Sequence, residues 1–335
     1  MDYEFTQDWF SRENPAQVVK QFEKFLLPYK SKPCTFLEIG CFEGMSTIWM
    51  LENVLTQESS RIFCIDAWAD WTEDAFVRFV SNINKTGLKD KVNIIKGDSS
   101  KTLGWLPDSH FDFIYVDGNH DEKAVIQDAI LSFRTLKHGG IMAFDDYLLG
   151  IRYPNTPGSK AMKGSCKNAI DYFIKLFGDE LEIIHKDYQL WIKKEMKIAI
   201  AQLHTKNLDS WANIAVENKQ RYARKHGYDF VFKTDLYETK FEERHPSWHS
   251  VKLILEILET TNIDWVFWSD VDALVMDTTK KLETFIKTDY DMIIPNQGQG
   301  EYCGIKTTNC LCCGHYFIKN TDWSKTFLNK LWRWP

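Results

Sequence analysis

The sequence has 335 residues, a formal net charge of −6 and a pI of about 5.9, so it is long enough for two domains that each bury a core. This charge offers no broad basic face, which excludes nucleic acid as the expected partner. The N-terminal stretch lacks a basic-then-apolar signal pattern, and no apolar run approaches the roughly 18 residues that span a bilayer. We therefore expect a soluble, cytoplasmic protein.

A turn rich in glycine follows the first predicted strand, residues 36–39, and leads into a helix over 46–55. Gly40 can adopt a positive φ and has no Cβ to block close approach of a ligand. The helix that begins after Gly44 offers free N–H groups to an electron-rich ligand. Glu38 lies just before this turn, which is therefore a candidate ligand site.

Acidic residues also follow the next two predicted strands, 61–65 and 91–95. Asp66 ends the first of them, about twenty residues after the turn, where a carboxylate can accept hydrogen bonds from ribose hydroxyls. Asp98 and Ser99 follow the second and are placed to contact an adenine. Alternatively, either residue caps the helix that follows, and both roles are compatible.

Three carboxylates and a histidine follow the fourth and fifth predicted strands. Asp117 ends strand 111–116, with His120 three residues later, while Asp145 and Asp146 end strand 141–144, which follows a tight turn at 137–140. Three neighbouring anions repel unless a cation or protons offset them, so Mg²⁺ is expected. His120 can be neutral near pH 7 and is suited to take a proton from a hydroxyl. The alternative is that these aspartates cap helices and that the histidine is structural.

Strands that alternate with helices predict a mainly parallel sheet, and every polar group named above falls at its carboxyl edge. Amphipathic helices are predicted over 15–29 and 72–84. The stretch 148–167 is rich in Gly, Pro and Lys and is expected to be a flexible loop over the site that selects the acceptor. A helix over 169–177 and an antiparallel hairpin, 181–186 with 188–192, complete the unit.

Five segments in the correct order, LEIGCFEGMST, CIDAW, GDSS, FDFIYVDGNH and LKHGGIMAFDDY, resemble class I S-adenosylmethionine-dependent methyltransferases. They are most similar to metal-dependent small-molecule O-methyltransferases, which include sugar methyltransferases. The resemblance covers roughly residues 5–195 and implies a Rossmann-like sheet, S-adenosylmethionine as cofactor, Mg²⁺ on Asp117, Asp145 and Asp146, and His120 with Asp117 as the catalytic residues. The implied cofactor-binding residues are Glu38, Gly40, Glu43, Gly44, Ser46, Asp66, Asp98, Ser99 and Asp117.

The pattern begins again after a short charged segment at 193–196. A buried strand over 198–203, a helix over 211–226 that ends at Gly227, a strand over 228–232 and an apolar helix over 250–258 predict a second α/β domain. We place the two domains at 1–195 and 196–335.

An aromatic strand in this second domain ends in Asp270-Val-Asp272. In an extended segment, alternation puts both carboxylates on one side, where they can bind one cation that in turn holds a diphosphate. Asp-x-Asp alone is common, but its position directly after an apolar strand is much less so. A cation-dependent nucleotide site is therefore expected here.

The segments ENKQRYARKHGYDF, SWHSVKLIL, DWVFWSDVDALVMD and CCGHYFIKN resemble retaining glycosyltransferases of the galactomannan galactosyltransferase, xyloglucan xylosyltransferase and α-mannosyltransferase family. The resemblance implies a GT-A fold and a nucleotide-sugar donor bound through Mn²⁺ on Asp270 and Asp272, with Lys252 nearby. Members of the family continue for several tens of residues beyond the equivalent of the final LWRWP. The second active site is therefore expected to be incomplete.

Seven of the eight cysteines fall into two groups, and Cys166 stands alone. Cys34, Cys41 and Cys64 lie on or beside predicted buried strands and are expected to be small apolar core residues in a reducing compartment. A cluster near the C-terminus indicates either a zinc site, although its spacing is not that of paired Cys-x-x-Cys motifs, or a strand beside the sugar pocket. Its members are Cys303, Cys310, Cys312, Cys313 and His315.

Together these features predict an S-adenosylmethionine-dependent O-methyltransferase acting on a sugar hydroxyl of a glycan or glycosylated small molecule, fused to a metal-dependent nucleotide-sugar glycosyltransferase domain. Two alternatives stay open. In one, glycosyl transfer is the main activity. In the other, the second domain only binds carbohydrate and presents it to the methyltransferase.

Overall fold

The computed structural model divides the chain into two compact units, Met1–Glu195 and Met196–Pro335. It describes residues 2–11, 18–69, 73–239, 244–287, 290–296, 298, 300–302, 305–307 and 311–334. Several predicted features lie outside these ranges: the start of the first helix at 15–17, Trp71 and Thr72, and Cys303 and Cys310. In the described part of the chain, no helix combines the length and apolarity needed to cross a membrane.

Seven strands form the sheet of the N-terminal unit, in the order β3-β2-β1-β4-β5-β7-β6. Strands β1 to β5 are parallel, and β7 is antiparallel to both of its neighbours. Their bounds are β1 Thr35–Ile39, β2 Arg61–Asp66, β3 Val92–Lys96, β4 Phe111–Val116, β5 Leu136–Phe144, β6 Leu181–Lys186 and β7 Leu190–Lys194.

Helices cover both faces of this sheet. They are α1 Val18–Leu26, α2 Met45–Asn53, α3 Glu73–Lys85, α4 Ser99–Thr102, α5 Glu122–Thr135, α6 Leu149–Arg152, α7 Pro157–Ala161 and α8 Cys166–Phe177. Because side chains alternate along a strand, Phe36 packs with α1 to α3 on one face, while its neighbour Leu37 packs with α5 and α8 on the other. Such a sheet presents the carboxyl ends of its parallel strands at one edge.

The structure modifies two local predictions in this unit. Residues 137–140, expected to be a tight turn before the fifth strand, fall within the bounds of β5, where Gly139 has a φ of 80°. They loop out there opposite the single residue Asp112, because Leu136 pairs with Phe111 and Ile141 pairs with Phe113. The stretch 148–167 contains α6, α7 and the start of α8, and Leu149 and Cys166 are buried in the core. It is folded against the unit rather than a structureless loop.

The C-terminal unit has a five-stranded sheet in the order β11-β14-β10-β8-β9 and a separate hairpin of β12 with β13. Strand β10 is parallel to β8, which is parallel to β9, whereas β14 is antiparallel to β10 and β11. The elements are β8 Ile198–Leu203, α9 Asp209–His226, β9 Asp229–Lys233, α10 His249–Thr260, β10 Trp265–Ser269, β11 Met292–Ile293, β12 Gly300–Tyr302, β13 Ile305–Thr307, β14 His315–Lys319 and α11 Asp322–Arg333.

This second sheet is also covered on both faces. Val266 packs with α10 and α11 on one side, and Trp265 packs with Tyr222 of α9 on the other. Helix α9 ends at Gly227, whose φ of 74° gives the left-handed C-cap that the sequence predicts. The α/β class predicted for both units is confirmed.

Candidate functional site

The turn after β1 can only be made by glycine at its first position. Gly40 has a φ of 83°, and a Cβ added there would lie 1.8 Å from the main-chain oxygen of Asp117 at the end of β4. Gly44, with a φ of 88°, is the N-cap of α2. The turn therefore lies in direct contact with the end of β4, and the N-terminus of α2 lies next to the turn.

Asp66, at the end of β2, stabilises this turn through hydrogen bonds. Its carboxylate accepts hydrogen bonds from the main-chain N–H groups of Cys41 at 2.8 Å, Phe42 at 2.9 Å and Trp68 at 2.9 Å. Phe42 and Trp68 both have positive φ, 45° and 38°, which is uncommon for residues other than glycine. A carboxylate has about four acceptor sites, so Asp66 keeps capacity for the ribose contact that the sequence predicts.

Glu38 is wholly buried beneath the turn. Its two carboxylate oxygens accept hydrogen bonds from the hydroxyls of Ser46 and Thr47 at the start of α2. Burial raises the pKa of Glu38 to about 7, although these hydroxyls oppose the increase. Glu38 and Ser46, both predicted to bind the cofactor, therefore lie together.

The buried state of Glu38 predicts a pH-dependent stability. Because its pKa is higher in the folded chain than in the unfolded chain, stability falls as the pH rises from about 4.5 to about 7. Glu38→Gln keeps an acceptor for one hydroxyl and removes this titration, so the decrease in melting temperature between pH 5 and pH 8 should become shallower. Calorimetric scans of the full chain measure it. Glu58→Gln, at an exposed glutamate, should keep the wild-type slope, and an equal slope in Glu38→Gln would contradict the assignment.

Other predicted cofactor residues have partners within the chain. Glu43 is buried, accepts hydrogen bonds from the N–H of Thr6 at 2.6 Å and its hydroxyl at 2.8 Å, and forms an ion pair with Arg78 of α3. Its side chain thus ties the N-terminal stretch to the turn. Asp98 caps α4 by accepting from the N–H of Ser100 at 2.9 Å, and Ser99 hydrogen-bonds to Asp128. Their roles as cofactor ligands stay predictions.

A cluster of acidic residues and one histidine lies at the ends of β4 and β5. Candidate ligand atoms of Asp117, His120 and Asp146 all lie within 4.8 Å of one another, and His120 Nε2 is 2.6 Å from Asp146 Oδ2. Asp145 adjoins them and accepts a hydrogen bond from Gln189. The structure therefore brings together the four residues that the sequence predicts at this edge.

The charges of this cluster are strongly coupled. Burial raises the pKa of Asp117 well above its usual range, and repulsion from Asp145 adds to the increase. Burial and repulsion from Asp146 raise the pKa of Asp145 to about 7. Burial alone would lower the pKa of His120, but hydrogen bonds with Asp117 and Asp146 raise it to about 11.

These hydrogen bonds favour the protonated form of His120, whereas a general base must be neutral. The reason is its place between two carboxylates. A divalent cation on those carboxylates would oppose this effect, because a bound cation disfavours a second positive charge nearby. The carboxylate oxygens of Asp117, Asp145 and Asp146 are a donor set that fits Mg²⁺ or Mn²⁺.

Sequence reasoning missed the residues that orient this cluster. The Tyr188 hydroxyl donates to Asp146, and Gln189 donates to Asp145 while accepting from Trp191 Nε1 at 3.0 Å. Cys166, at the start of α8, contacts the main-chain oxygen of His120 at 3.4 Å. The signal for Gln189 was a glutamine within the predicted hairpin strand 188–192, since a polar side chain that is buried there requires partners.

In the C-terminal unit, Asp270 and Asp272 lie in a turn after β10 and not in the extended segment that was expected. The N–H of Ala273 donates to the main-chain oxygen of Asp270 at 3.2 Å, which closes the turn. Asp270 is half-buried and accepts from Trp268 Nε1 at 2.8 Å, whereas Asp272 is exposed. Burial raises the pKa of Asp270, and Asp272 adds to the increase, so each carboxylate disfavours the charge on the other.

Residues at the start of β14 also surround Asp270. The main-chain oxygen of Gly314 accepts from the N–H of Asp270 at 2.8 Å, and a Cβ on Gly314 would lie 3.0 Å from Asp270 Oδ2. His315 Nδ1 is buried and has no hydrogen-bond partner among the described residues. Lys252 is half-buried on α10, and its contact with a nucleotide sugar stays a prediction.

The zinc alternative stays a prediction, because Cys303 and Cys310 lie outside the described residues. Within those residues, neither Cys312 nor Cys313 belongs to a group of three or more candidate metal ligands. Cys34, Cys41 and Cys64 are buried and free, as expected of core residues. Burial raises the pKa of both Cys41 and Cys64, which keeps them as neutral thiols beside Glu38.

Two family models match separate parts of the chain. A methyltransferase domain model matches residues 37–147, and the galactosyl transferase GMA12/MNN10 family model matches residues 194–293. The chain therefore combines a region similar to methyltransferase domains with a region similar to the GMA12/MNN10 family. The first match runs from β1 to the acidic cluster, and the second includes Asp270 and Asp272.

Relatives are found for each domain separately. The chain is 30% identical over 154 residues to a probable α-1,6-mannosyltransferase MNN10 of Saccharomyces cerevisiae, which covers 39% of this chain and 39% of that protein. It is 30% identical over 115 residues to a catechol O-methyltransferase of Mycobacterium tuberculosis, which covers 34% of this chain and 48% of that protein. The chain thus spans less than half the length of these relatives.

Proposed function

We propose that the methyltransferase domain transfers the methyl group of S-adenosylmethionine to a hydroxyl oxygen. The observation that carries this proposal is the position of Asp117. Its main chain packs directly against Gly40 in the glycine turn, and its carboxylate belongs to the cluster with His120 and Asp146. A cofactor held at the turn would therefore have its reacting end beside groups that can bind and activate a hydroxyl.

Different residues of the domain would bind the cofactor, bind the cation and accept the proton. Glu38, Asp66 and the main chain at Gly40 would hold the cofactor, and Asp98 would lie near its adenine. Asp117, Asp145 and Asp146 would hold Mg²⁺, which when bound lowers the pKa of a coordinated hydroxyl. His120 would receive the proton of that hydroxyl, because it lies within reach of the same carboxylates.

The proposed acceptor is a sugar hydroxyl of a glycan or glycosylated small molecule. Its support is the fusion itself, since the second domain is similar to a family of sugar transferases. We further propose that Asp270 and Asp272 bind Mn²⁺ and the diphosphate of a nucleotide-sugar donor. The two neighbouring carboxylates at the end of a parallel strand support this assignment.

Calorimetric titration of the chain with S-adenosylhomocysteine tests the first domain. Saturable binding with one site per chain is expected, and no binding would contradict the proposed cofactor. Titration of the loaded chain with UDP and then GDP, with and without Mn²⁺, tests the second domain. Binding of one nucleotide that requires Mn²⁺ is expected.

Substitution of Asp270 should remove this nucleotide binding. Asp270→Asn keeps an acceptor for Trp268 Nε1 but loses the charge that holds the cation, so Mn²⁺-dependent affinity should fall by more than about 100-fold. Asp277→Asn is the matched control, because Asp277 is exposed and lies on the same segment. If wild type binds an oligosaccharide but neither nucleotide, and Asp270→Asn retains that binding, the second domain is a carbohydrate-binding partner instead.

A further inference from the structure

Two consecutive residues of α9, Asn218 and Lys219, form hydrogen bonds with the main chain of the segment 269–275, which carries Asp270 and Asp272. Asn218 and Lys219 are at least 50 positions away in sequence from the residues they contact there, and the proposed function gives them no role. Their side chains contact its main chain before and after the two aspartates. The pair connects the first helix of the domain to its proposed metal site.

Lys219 contacts the start of the segment. Its ammonium group donates to the main-chain oxygens of Ser269 at 3.2 Å and Asp270 at 2.5 Å, and to Gln202 Oε1 at 2.8 Å. An ammonium has three N–H donors, so all of them are used. Because Gln202 lies on β8, the ammonium joins the sheet to the turn at its first aspartate.

Asn218 contacts the other end of the segment. Its Nδ2 donates to the main-chain oxygen of Val275 at 3.1 Å, and its Oδ1 accepts from the N–H of Val275 at 2.7 Å. The side-chain amide of Asn218 therefore pairs with both main-chain polar groups of Val275. Val275 follows Asp272 by three positions, so the two aspartates lie between the two contacts.

The burial of Lys219 indicates more than a packing role. Its side chain is wholly buried, and an apolar residue of similar volume usually gives at least equal stability at such a position. The ammonium group directs its donors to oxygens of Gln202, Ser269 and Asp270, which fixes the turn relative to β8.

We propose that Asn218 and Lys219 are positioning residues that hold the turn at Asp270 and Asp272 in the geometry needed to bind a divalent cation and a diphosphate. This inference rests on the proposed donor site. Neither residue is assigned a contact with the cation or the nucleotide. They act through the main chain of the segment, and outer partners of metal ligands typically change affinity 10- to 100-fold.

The test uses the full chain loaded with S-adenosylhomocysteine. Asn218→Ala should weaken Mn²⁺-dependent UDP or GDP binding by about 10- to 100-fold in calorimetric titrations and leave the affinity for S-adenosylhomocysteine unchanged. Asn218→Asp keeps the acceptor for the Val275 N–H and should recover part of the loss. Asn213→Ala, at an exposed position of the same helix, should bind as wild type does.

Hydrogen exchange of residues 269–276 gives a readout that does not need the nucleotide. Exchange should become faster in Asn218→Ala and stay unchanged in Asn213→Ala. Lys219→Met, which keeps the length of the side chain without its donors, should show the same two effects where it folds. Wild-type nucleotide affinity in a folded Asn218→Ala would overturn the positioning role alone. Absence of Mn²⁺-dependent nucleotide binding in the wild-type chain would overturn the donor site and this inference together.

Discussion

Gly40→Ala is expected to lower the melting temperature of the methyltransferase domain by on the order of 10 °C. The left-handed conformation costs about 1–2 kcal/mol for a residue with a Cβ. The new Cβ would also lie 1.8 Å from the main-chain oxygen of Asp117, so the strand end must move, at a further cost of about 1–3 kcal/mol for overpacking. A domain of this size loses about 2–4 °C for each kcal/mol.

Gly87→Ala separates the two causes. Gly87 also has a positive φ, 70°, but a Cβ added there has no heavy atom within 4 Å. Only the conformational cost of about 1–2 kcal/mol applies, so the decrease should be less than half as large. Calorimetric scans of both variants measure the difference. Equal decreases would show that the contact with Asp117 adds nothing, and the turn would then not be pressed against β4.

The parallel arrangement of the first five strands and the residues at their carboxyl ends could be predicted from the sequence. Alternating strands and helices require a parallel sheet, and parallel strands end at one edge. Glu38, Asp66, Asp117 and Asp146 therefore lie at that edge even though they are far apart in the chain. The prediction needed only local patterns and one topological rule.

The rest of the site depends on contacts that no local pattern specifies. Tyr188 and Gln189 reach the acidic cluster because β7 pairs with β5 in an antiparallel register that places Leu190 opposite Phe144. Asn218 reaches Val275 through the packing of α9 on the second sheet. Such pairings follow from the assembled core and not from the residues themselves.

Side-chain directions in the two turns could not be predicted either. Glu43 lies within the glycine turn, and its side chain contacts Thr6 and Arg78, residues that come from elsewhere in the unit. Asp272 was expected on an extended segment, but the hydrogen bond from Ala273 to Asp270 bends the chain. Side-chain direction in a turn depends on backbone conformations that hydrophobic periodicity does not encode.

Mn²⁺ titration can isolate the metal site of the methyltransferase domain in a chain whose other proposed site is removed. In the Asp270→Asn, Asp272→Asn double variant loaded with S-adenosylhomocysteine, one Mn²⁺ per chain is expected by calorimetry or electron paramagnetic resonance. Adding Asp146→Asn should abolish this binding, because Asp146 is central to the cluster with Asp117 and His120. Persistent binding of one Mn²⁺ would contradict the assignment.

Tyr188→Phe tests how the cluster is oriented. It removes the hydroxyl that donates to Asp146 and leaves every proposed ligand in place, so Mn²⁺ affinity should fall by about 10- to 100-fold. Tyr172→Phe is the matched control, since Tyr172 is exposed on α8. Both variants should bind S-adenosylhomocysteine as wild type does. An unchanged Mn²⁺ affinity in Tyr188→Phe would mean that its hydroxyl does not position Asp146.

The same titration should depend on pH in a defined direction. Without a cation, Asp145 has a pKa of about 7 and His120 has a pKa of about 11, so both carry protons over much of the neutral range. Cation binding requires the deprotonated carboxylates and opposes the imidazolium, and therefore releases protons. Mn²⁺ affinity should rise between pH 6 and pH 8, with proton release detectable as a dependence of the binding enthalpy on buffer. Affinity that stays constant over this range would show that the cation binds elsewhere than among Asp117, Asp145 and Asp146.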